Sequence, residues 1–233
     1  MYLFYTTQIN DKLALLQGEE AHHCAQVLRK KTGDDLTFTD GKGKFYEGSI
    51  IETSKHSCTL RINKEWAAEH KRPFHLQIAI APTKNIDRLE WFVEKATEIG
   101  IDSITPILCE RSERKIVRTD RLEKIAIAAM KQSLKASVPV IQELMPIEKF
   151  ILQASGSQKF IAYVDEHHTA HLKDICQKTQ NVVVLIGPEG DFTAKEIQFA
   201  QENGYQPVSL GKSRLRTETA GLAACHIVNL INE

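Results

Sequence analysis

The chain has 233 residues, of which 42% are hydrophobic and 26% are charged, and its 30 lysines and arginines balance 30 aspartates and glutamates. These proportions exclude a disordered or fibrous protein, and a zero net charge gives no sign of the strongly basic surface of a general nucleic-acid binder. With no apolar stretch near the roughly 18 residues of a membrane span, no secretion signal and five scattered cysteines outside any C-x-x-C pair, we predict a cytoplasmic protein without membrane attachment.

The first part of the chain is predicted to be a compact β-rich module. Residues 18–29 have the pattern of a short helix, residues 36–40 and 45–51 flank the turn-forming Gly41-Lys-Gly43 as a hairpin, and residues 58–62 add a strand. The polar segment 63–73 ends in a proline and is predicted to be a linker, which places the domain boundary at residues 72 and 73.

After the linker, strands alternate with helices. The predicted strands are residues 76–81, 101–108, 160–164, 182–186 and 207–210, and the predicted helices are residues 87–99, 120–135, 170–178, 194–203 and 218–231. This alternation predicts an α/β fold with a parallel sheet. Such sheets bind ligands where the strands end, so the loops after the strands are the candidate sites.

One of these loops follows the buried-type strand 182–186. Its Gly187 and Gly190 permit a close approach of a ligand to the main chain, and Thr193 with Glu196 predicts a capping box at the next helix. A simple tight turn is the alternative interpretation.

A second loop, residues 209–220, contains Lys212, Arg214 and Arg216, with Thr217 as the predicted N-cap of the last helix. A phosphate-binding P-loop would need glycine where Gln206 stands, and no G-x-G-x-x-G sequence follows a strand. Nucleotide-triphosphate and dinucleotide sites are therefore disfavoured.

Taken together, these loops resemble the signature of the small-subunit ribosomal RNA uridine-N3 methyltransferases of the SPOUT superfamily. The matching sequences are Ile186-Gly-Pro-Glu-Gly-Asp-Phe-Thr193, Leu210-Gly211 and Leu215-Arg-Thr-Glu-Thr-Ala220, preceded by Glu20-Ala-His-His23, Val27-Leu-Arg29, Lys84, Glu94-Lys-Ala-Thr-Glu-Ile-Gly100, Thr105-Pro106, Glu110-Arg-Ser112 and Gln132-Ser133. The chain departs from the family pattern at Asp191, where a second glycine is more frequent, and at Lys135, near which arginine is common.

The resemblance implies an N-terminal PUA-like β-barrel that binds RNA (residues 1–72) and a C-terminal SPOUT methyltransferase domain (residues 73–233) with a trefoil knot around S-adenosyl-L-methionine (SAM). It also implies a homodimer acting on 16S ribosomal RNA of the small ribosomal subunit. The predicted cofactor-binding residues are Leu185, Ile186, Gly187, Pro188, Glu189, Gly190, Ser209, Leu210, Gly211, Leu215, Arg216 and Thr217.

The candidate catalytic residues are Glu189 and Glu218, as a base or an electrostatic stabiliser, and Arg216, which would stabilise a uracil anion. Alternatively, Glu218 favours only the helix start and Glu189 only its own loop. The candidate RNA contacts are Arg29, Lys30, Lys84, Arg88, Arg111 and Arg114, for each of which a solvated surface is the alternative.

No metal site is predicted, because His167, His168 and His171 lie in a polar loop without matching carboxylates, and Trp66 and Trp91 are expected to pack in the fold. Two other functions stay open: a SPOUT methyltransferase for a ribose 2'-hydroxyl or another base, and a non-catalytic RNA-binding assembly factor.

Overall fold

The computed structural model describes residues 2–68, 72–163 and 170–233. The chain divides into two compact units, Met1–Lys71 with Ile127–Val138 and Arg72–Ala126 with Pro139–Glu233. The segment Ile127–Val138, which the sequence assigns to the second domain, therefore groups with the first unit. The functional assignment of two domains stays a prediction.

The first unit is built on one six-stranded sheet. Its strands are β1 (Leu3–Tyr5), β2 (Ile9–Asn10), β3 (Leu13–Gln17), β4 (Asp35–Thr39), β5 (Lys44–Thr53) and β6 (Ser57–Ala67), in the order β1-β4-β5-β6-β3-β2. β1 and β4 run parallel, whereas the other neighbours are antiparallel. The predicted hairpin is confirmed as β4 and β5.

The predicted linker is wrong over residues 63–67, because β6 continues to Ala67 along β5. The charged residues Lys64 and Glu65 of this stretch are exposed, while the ring of Trp66 stacks on that of Phe45 with centroids 5.8 Å apart. This cross-strand aromatic pair keeps a polar sequence in the sheet. Residues 69–71 of the predicted linker lie outside the described residues.

A short helix lies close to its predicted place in the first unit. α1 (Gly18–His22) continues into a π-helical turn over His23–Val27, which brings Cys24 into the core with its Sγ 3.8 Å from that of Cys58. The core around these thiols also contains Phe4, Leu16, Leu36, Phe38, Tyr46, Ile50 and Leu60.

The second unit contains a parallel sheet, which confirms the predicted α/β fold. Its strands are β7 (Leu76–Ile80), β8 (Ser103–Leu108), β9 (Val140–Ile141), β10 (Met145–Pro146), β11 (Gln158–Ala162), β12 (Val182–Ile186) and β13 (Gln206–Val208). The order is β10-β8-β7-β12-β11-β13, with β9 beside β8, and the pairs within it are parallel. Val164, the end of the predicted strand 160–164, lies outside the described residues.

Helices follow the strands as predicted, with two differences. They are α2 (Ile86–Ile99), α3 (Thr119–Gln132), α4 (Ile147–Gln153), α5 (Leu172–Ile175), α6 (Ala194–Glu202) and α7 (Thr217–Asn232). α5 is a single turn within the predicted helix 170–178, and α4 was not predicted. The predicted cap of α2 is confirmed, since Gly100 has a φ of 133° and donates from its amide to the carbonyl of Ala96.

The central strands are buried on both sides, which explains their unbroken apolar sequences. On one side, Ala79 and Leu185 pack with Phe150 of α4 and Ala200 of α6. On the other side α7 packs on α2 and β7 at Gly221, where a Cβ would lie 2.8 Å from Cε2 of Phe92. The helices on the two faces hold the strands of the sheet in place, and they therefore set the position of the edge from which the loops emerge.

Candidate cofactor and catalytic site

Among the described residues, four of the loops at the carboxyl edge of the parallel sheet concern the candidate site. They are residues 81–85 after β7, 109–118 after β8, 187–193 after β12 and 209–216 after β13. Because these strands are parallel within one sheet, their ends lie at the same edge. The two loops that the sequence singled out therefore share the edge of the sheet with two others.

The loop 187–193 is a tight turn held by its own main chain. The amide of Asp191 donates to the carbonyl of Pro188 at 2.9 Å, and Asp191 has a φ of 61°. Glycine adopts this left-handed conformation without strain, which fits the glycine that the resemblance leads us to expect at this position. Aspartate is tolerated because its Oδ1 accepts the amide of Phe192 at 2.8 Å.

The end of this loop is anchored by the predicted capping box, which is confirmed. Thr193 Oγ1 accepts the amide of Glu196, whose Oε2 accepts the amide of Thr193 at 2.7 Å. The second carboxylate oxygen of this buried glutamate accepts the amide of Glu110 at 2.9 Å. A single buried carboxylate therefore ties the loop after β12 to the loop after β8.

Burial raises the pKa of the neighbouring Cys109 thiol far above its ordinary value, and the charge of Glu196 raises it further. The thiol is therefore neutral at physiological pH. Its main chain serves the loop after β8, since the amide of Cys109 donates to Ser112 Oγ at 3.0 Å. Cys109 is accordingly a structural residue of this edge.

The two candidate cofactor loops are joined by a side-chain hydrogen bond. Thr217 Oγ1 donates to the carbonyl of Gly187 at 3.1 Å, and both residues are buried. The prediction of Thr217 as an N-cap is wrong: α7 begins at Thr217 itself and its N-cap is Arg216, which makes no side-chain cap. The hydroxyl of Thr217 donates to a carbonyl of the other loop instead of accepting a hydrogen bond from an amide of α7.

The predicted cofactor-binding residues form a rim around this junction. Leu185 and Ile186 are buried in β12, so only their main chain can reach a ligand, whereas Glu189, Gly190, Gly211 and Arg216 are exposed. Gly211 has a φ of 127°, and its amide donates to Ser209 Oγ. Leu210 and Leu215 are half-buried.

The rim offers what SAM requires. Within the described part of the chain, the amides of Gly190, Leu210 and Leu215 donate to no protein atom, so they are available to the edge of an adenine or to a carboxylate. The half-buried leucines offer an apolar surface next to these donors. This combination of apolar contacts and a few main-chain donors is typical of small-molecule sites and fits the cofactor.

Two predicted RNA-contacting arginines hold the loops of this edge. Arg111 NH1 donates to the carbonyl of Gly190 at 2.8 Å, and Arg114 donates through Nε and NH2 to the carbonyls of Thr83 at 3.0 Å and Lys84 at 2.7 Å. These bonds join the loop after β8 to the loops after β7 and β12, the next two strands on one side of β8. An RNA contact by either arginine stays a prediction, and the sequence carried no signal for the positioning role.

Glu189 is bound to the loop after β7. Its Oε1 accepts the amide of Lys84 at 2.9 Å, while the Lys84 ammonium pairs with Glu113 at 2.8 Å. Glu113 also raises the pKa of Lys84, first by hydrogen bonding and then by its charge. The carboxylate of Glu189 is thus committed to fixing its loop.

Glu218 is placed differently. It is buried in the first turn of α7 and lines a cavity of about 260 Å³ together with Asp87, Arg88, Trp91 and Thr219. A second cavity of about 460 Å³ is lined by Lys84, Glu113, Arg114, Lys115 and Ile116. Arg216 is exposed at the rim, two residues before the cavity residue Glu218 in sequence.

The remaining candidates lie elsewhere. Arg29 and Lys30 are in the first unit, where Arg29 is exposed with a φ of 54° and the ammonium of Lys30 lies 3.4 Å from the carbonyl of Asp35. His171 caps α5 by accepting the amide of Lys173, whereas His167 and His168 lie outside the described residues. In the described ranges no three potential ligands converge on a metal site.

Known protein families match both parts of the chain. The model of an RNA methyltransferase domain matches residues 70–229, and that of an RNA methyltransferase PUA domain matches residues 16–63. None of the helices in the described ranges combines the length and apolar character needed to span a bilayer.

Individual proteins match over nearly the full length. The protein named ribosomal RNA small subunit methyltransferase E of Bacillus subtilis is 28% identical over 234 residues, which cover 94% of this chain and 90% of that protein. Its namesake from Rickettsia conorii is 27% identical over 230 residues, covering 95% and 91%.

Two crystal structures share the fold. A probable rRNA-methyltransferase from Porphyromonas gingivalis is 43% identical, with a TM-score of 0.93 over 100% of this chain and 98% of that one. The ribosomal RNA small subunit methyltransferase E of Neisseria gonorrhoeae, solved bound to S-adenosyl methionine, is 29% identical, with a TM-score of 0.87 and the same coverage.

Proposed function

This chain belongs to the RNA methyltransferase family, and from that premise we propose that it uses SAM to methylate N3 of a uridine in the 16S ribosomal RNA of the small subunit. The predicted family is confirmed, and the relatives named ribosomal RNA small subunit methyltransferase E support this substrate. The observation that carries the proposal is the Thr217 to Gly187 hydrogen bond, which brings the two candidate cofactor loops together.

SAM would be held by the residues 185–190, 209–211 and 215–217. It supplies a methyl group on a sulfonium, so the protein has to hold the donor and bring the uracil N3 into line with it. The family relative from Neisseria gonorrhoeae, which binds S-adenosyl methionine, supports this cofactor. The trefoil knot around it stays a prediction.

Of the three candidate catalytic residues, Glu218 is the one that we propose as the base. Within the described part of the chain, one of its carboxylate oxygens has no protein donor, whereas the carboxylate of Glu189 already accepts a main-chain amide. Arg216, exposed at the rim, is proposed to stabilise the negative charge that develops on uracil. Glu189 is proposed to shape the cofactor loop.

RNA binding is proposed to use both parts of the chain. Residues 1–72 would serve as the PUA-like RNA-binding domain through Arg29 and Lys30, and residues 73–233 as the methyltransferase domain, with Lys84, Arg88, Arg111 and Arg114 near the site. We further propose a homodimer in the cytoplasm, where small-subunit RNA is assembled.

The test is mass spectrometry of 16S ribosomal RNA from cells with and without the gene. We expect N3-methyluridine at one position to disappear on deletion and to return with the wild-type gene. A loss of a 2'-O-methyl group or of another methylated base would instead identify another SPOUT activity. Calorimetry with SAM separates the third possibility, since a non-catalytic assembly factor predicts no binding.

A further inference from the structure

One buried carboxylate oxygen at this edge has no partner among the residues that the structure describes. The side chain of Glu218 is 10% exposed, and in the described ranges its Oε2 receives no hydrogen bond. The other oxygen, Oε1, lies 3.9 Å from Nε of Arg88, which is too far for a hydrogen bond. A carboxylate oxygen that has lost water without gaining a donor is unfavourable, so its position indicates a donor that arrives with a ligand.

The cavity that Glu218 lines has the size and lining for one aromatic ring. Its volume of about 260 Å³ is slightly below the range of about 300 to 1,000 Å³ that drug-sized ligands occupy. Trp91 lines it and is 41% exposed, although the sequence predicted that this tryptophan would pack in the fold. An exposed indole beside a cavity is a stacking surface for a base.

The cavity also adjoins the cofactor loops. Glu218 directly follows Thr217, whose hydroxyl binds the carbonyl of Gly187 in the loop after β12. A ring seated against Glu218 therefore lies next to the residues proposed to hold the methyl donor.

We propose that this cavity is the subsite for the target uracil, an inference that rests on the proposed function. Uracil offers an N3–H donor between two carbonyl acceptors, and these match the carboxylate of Glu218 and the guanidinium of Arg88, while Trp91 stacks on the ring. Cytosine carries a lone pair at N3, which a carboxylate repels, so the same residues explain a preference for uracil.

In this subsite the N3 proton of uracil passes to the carboxylate of Glu218. The electron pair left on N3 forms the new bond to the methyl carbon, and the electron pair of the breaking carbon–sulfur bond stays on sulfur. The products are N3-methyluridine, the neutral thioether and a protonated Glu218. The buried carboxylate serves first as the acceptor that orients N3 and then as the base.

The experiment uses the full-length protein, SAM and small ribosomal subunits from a strain that lacks the gene. Glu218→Gln keeps the shape but cannot take the proton, and Trp91→Ala removes the stacking surface while Trp91→Phe keeps one. Lys95→Ala, on the same helix as Trp91, is the matched control. Methyl transfer, SAM affinity by calorimetry and oligomeric state by light scattering are measured for each.

We expect Glu218→Gln to reduce turnover by about a hundredfold or more, in the range of removing a general base, with SAM affinity unchanged. Its residual rate should rise with pH as uracil N3 ionises unaided. Trp91→Ala should raise the KM for subunits by about tenfold, with Trp91→Phe and Lys95→Ala near wild type.

Three outcomes would overturn the subsite: normal turnover in Glu218→Gln, equal kinetics for Trp91→Ala and wild type, or a loss in Trp91→Ala that tracks a change of oligomeric state. Failure of the proposed function looks different, since the wild-type protein would then bind no SAM or methylate no subunits.

Discussion

Replacing Thr217 by valine tests the junction of the cofactor loops directly. Valine has nearly the same shape as threonine, so the change removes the hydrogen bond to Gly187 and little else. A net hydrogen bond contributes about 0.5 to 1.5 kcal/mol, and a buried carbonyl left without a donor costs about 1 to 3 kcal/mol. Since both residues are buried, we take about 1 to 2 kcal/mol for the free energy that holds the loops together.

If that free energy maintains the binding-competent loop arrangement, the Kd for SAM rises by up to about 5 to 30-fold in Thr217→Val. Calorimetry measures this change, and thermal unfolding should show a Tm lowered by about 2 to 8 °C. Thr217→Ser keeps the hydroxyl and should retain most of the affinity. Wild-type affinity and Tm in Thr217→Val would refute the reasoning, and an equal loss in Thr217→Ser would assign the effect to the methyl group.

Further predictions address packing, loop anchoring and pH. Gly221→Ala places a methyl 2.8 Å from Cε2 of Phe92, and the resulting overpacking should cost about 1 to 3 kcal/mol, measured by chemical denaturation; an unchanged midpoint would contradict this contact. Arg111→Ala removes the exposed bond to the carbonyl of Gly190, so SAM affinity measured by calorimetry should fall by about fivefold, whereas an RNA contact alone would leave it unchanged. Burial and then the charge of Asp40 raise the pKa of Tyr46 to about 12, so the folded state favours the protonated phenol. The stability that this preference contributes to the folded protein is lost as pH rises from about 10 to about 12. Tyr46→Phe should therefore show a smaller fall in Tm across that interval than wild type.

Local sequence predicted the features whose partners are close in the chain. The capping box of Thr193 and Glu196 and the glycine cap at Gly100 are confirmed, because each depends on residues within one helical turn. The parallel sheet was predictable for a similar reason, since a strand buried on both faces has an apolar sequence of its own. The position of the candidate site followed from that sheet.

Features that depend on distant partners were not predictable. Thr217 has the sequence of an N-cap, yet its hydroxyl binds a carbonyl 30 residues away. Likewise, Arg111 has the sequence of a surface cation but donates to a carbonyl 79 residues away. Residue type indicates that a hydroxyl or a guanidinium will donate, but only the fold determines which acceptor is within reach.

The loop after β12 is held from three directions. The loop after β7 donates to it through the amide of Lys84, the loop after β8 through the guanidinium of Arg111, and the first residue of α7 through the hydroxyl of Thr217. Because all three bonds join protein groups to one another, SAM does not have to supply them, and less conformational entropy is lost on binding. Among the described residues Glu218 Oε2 has no donor, and Glu218 follows Thr217, one of the residues that hold this loop, so a rigid neighbourhood surrounds the proposed base.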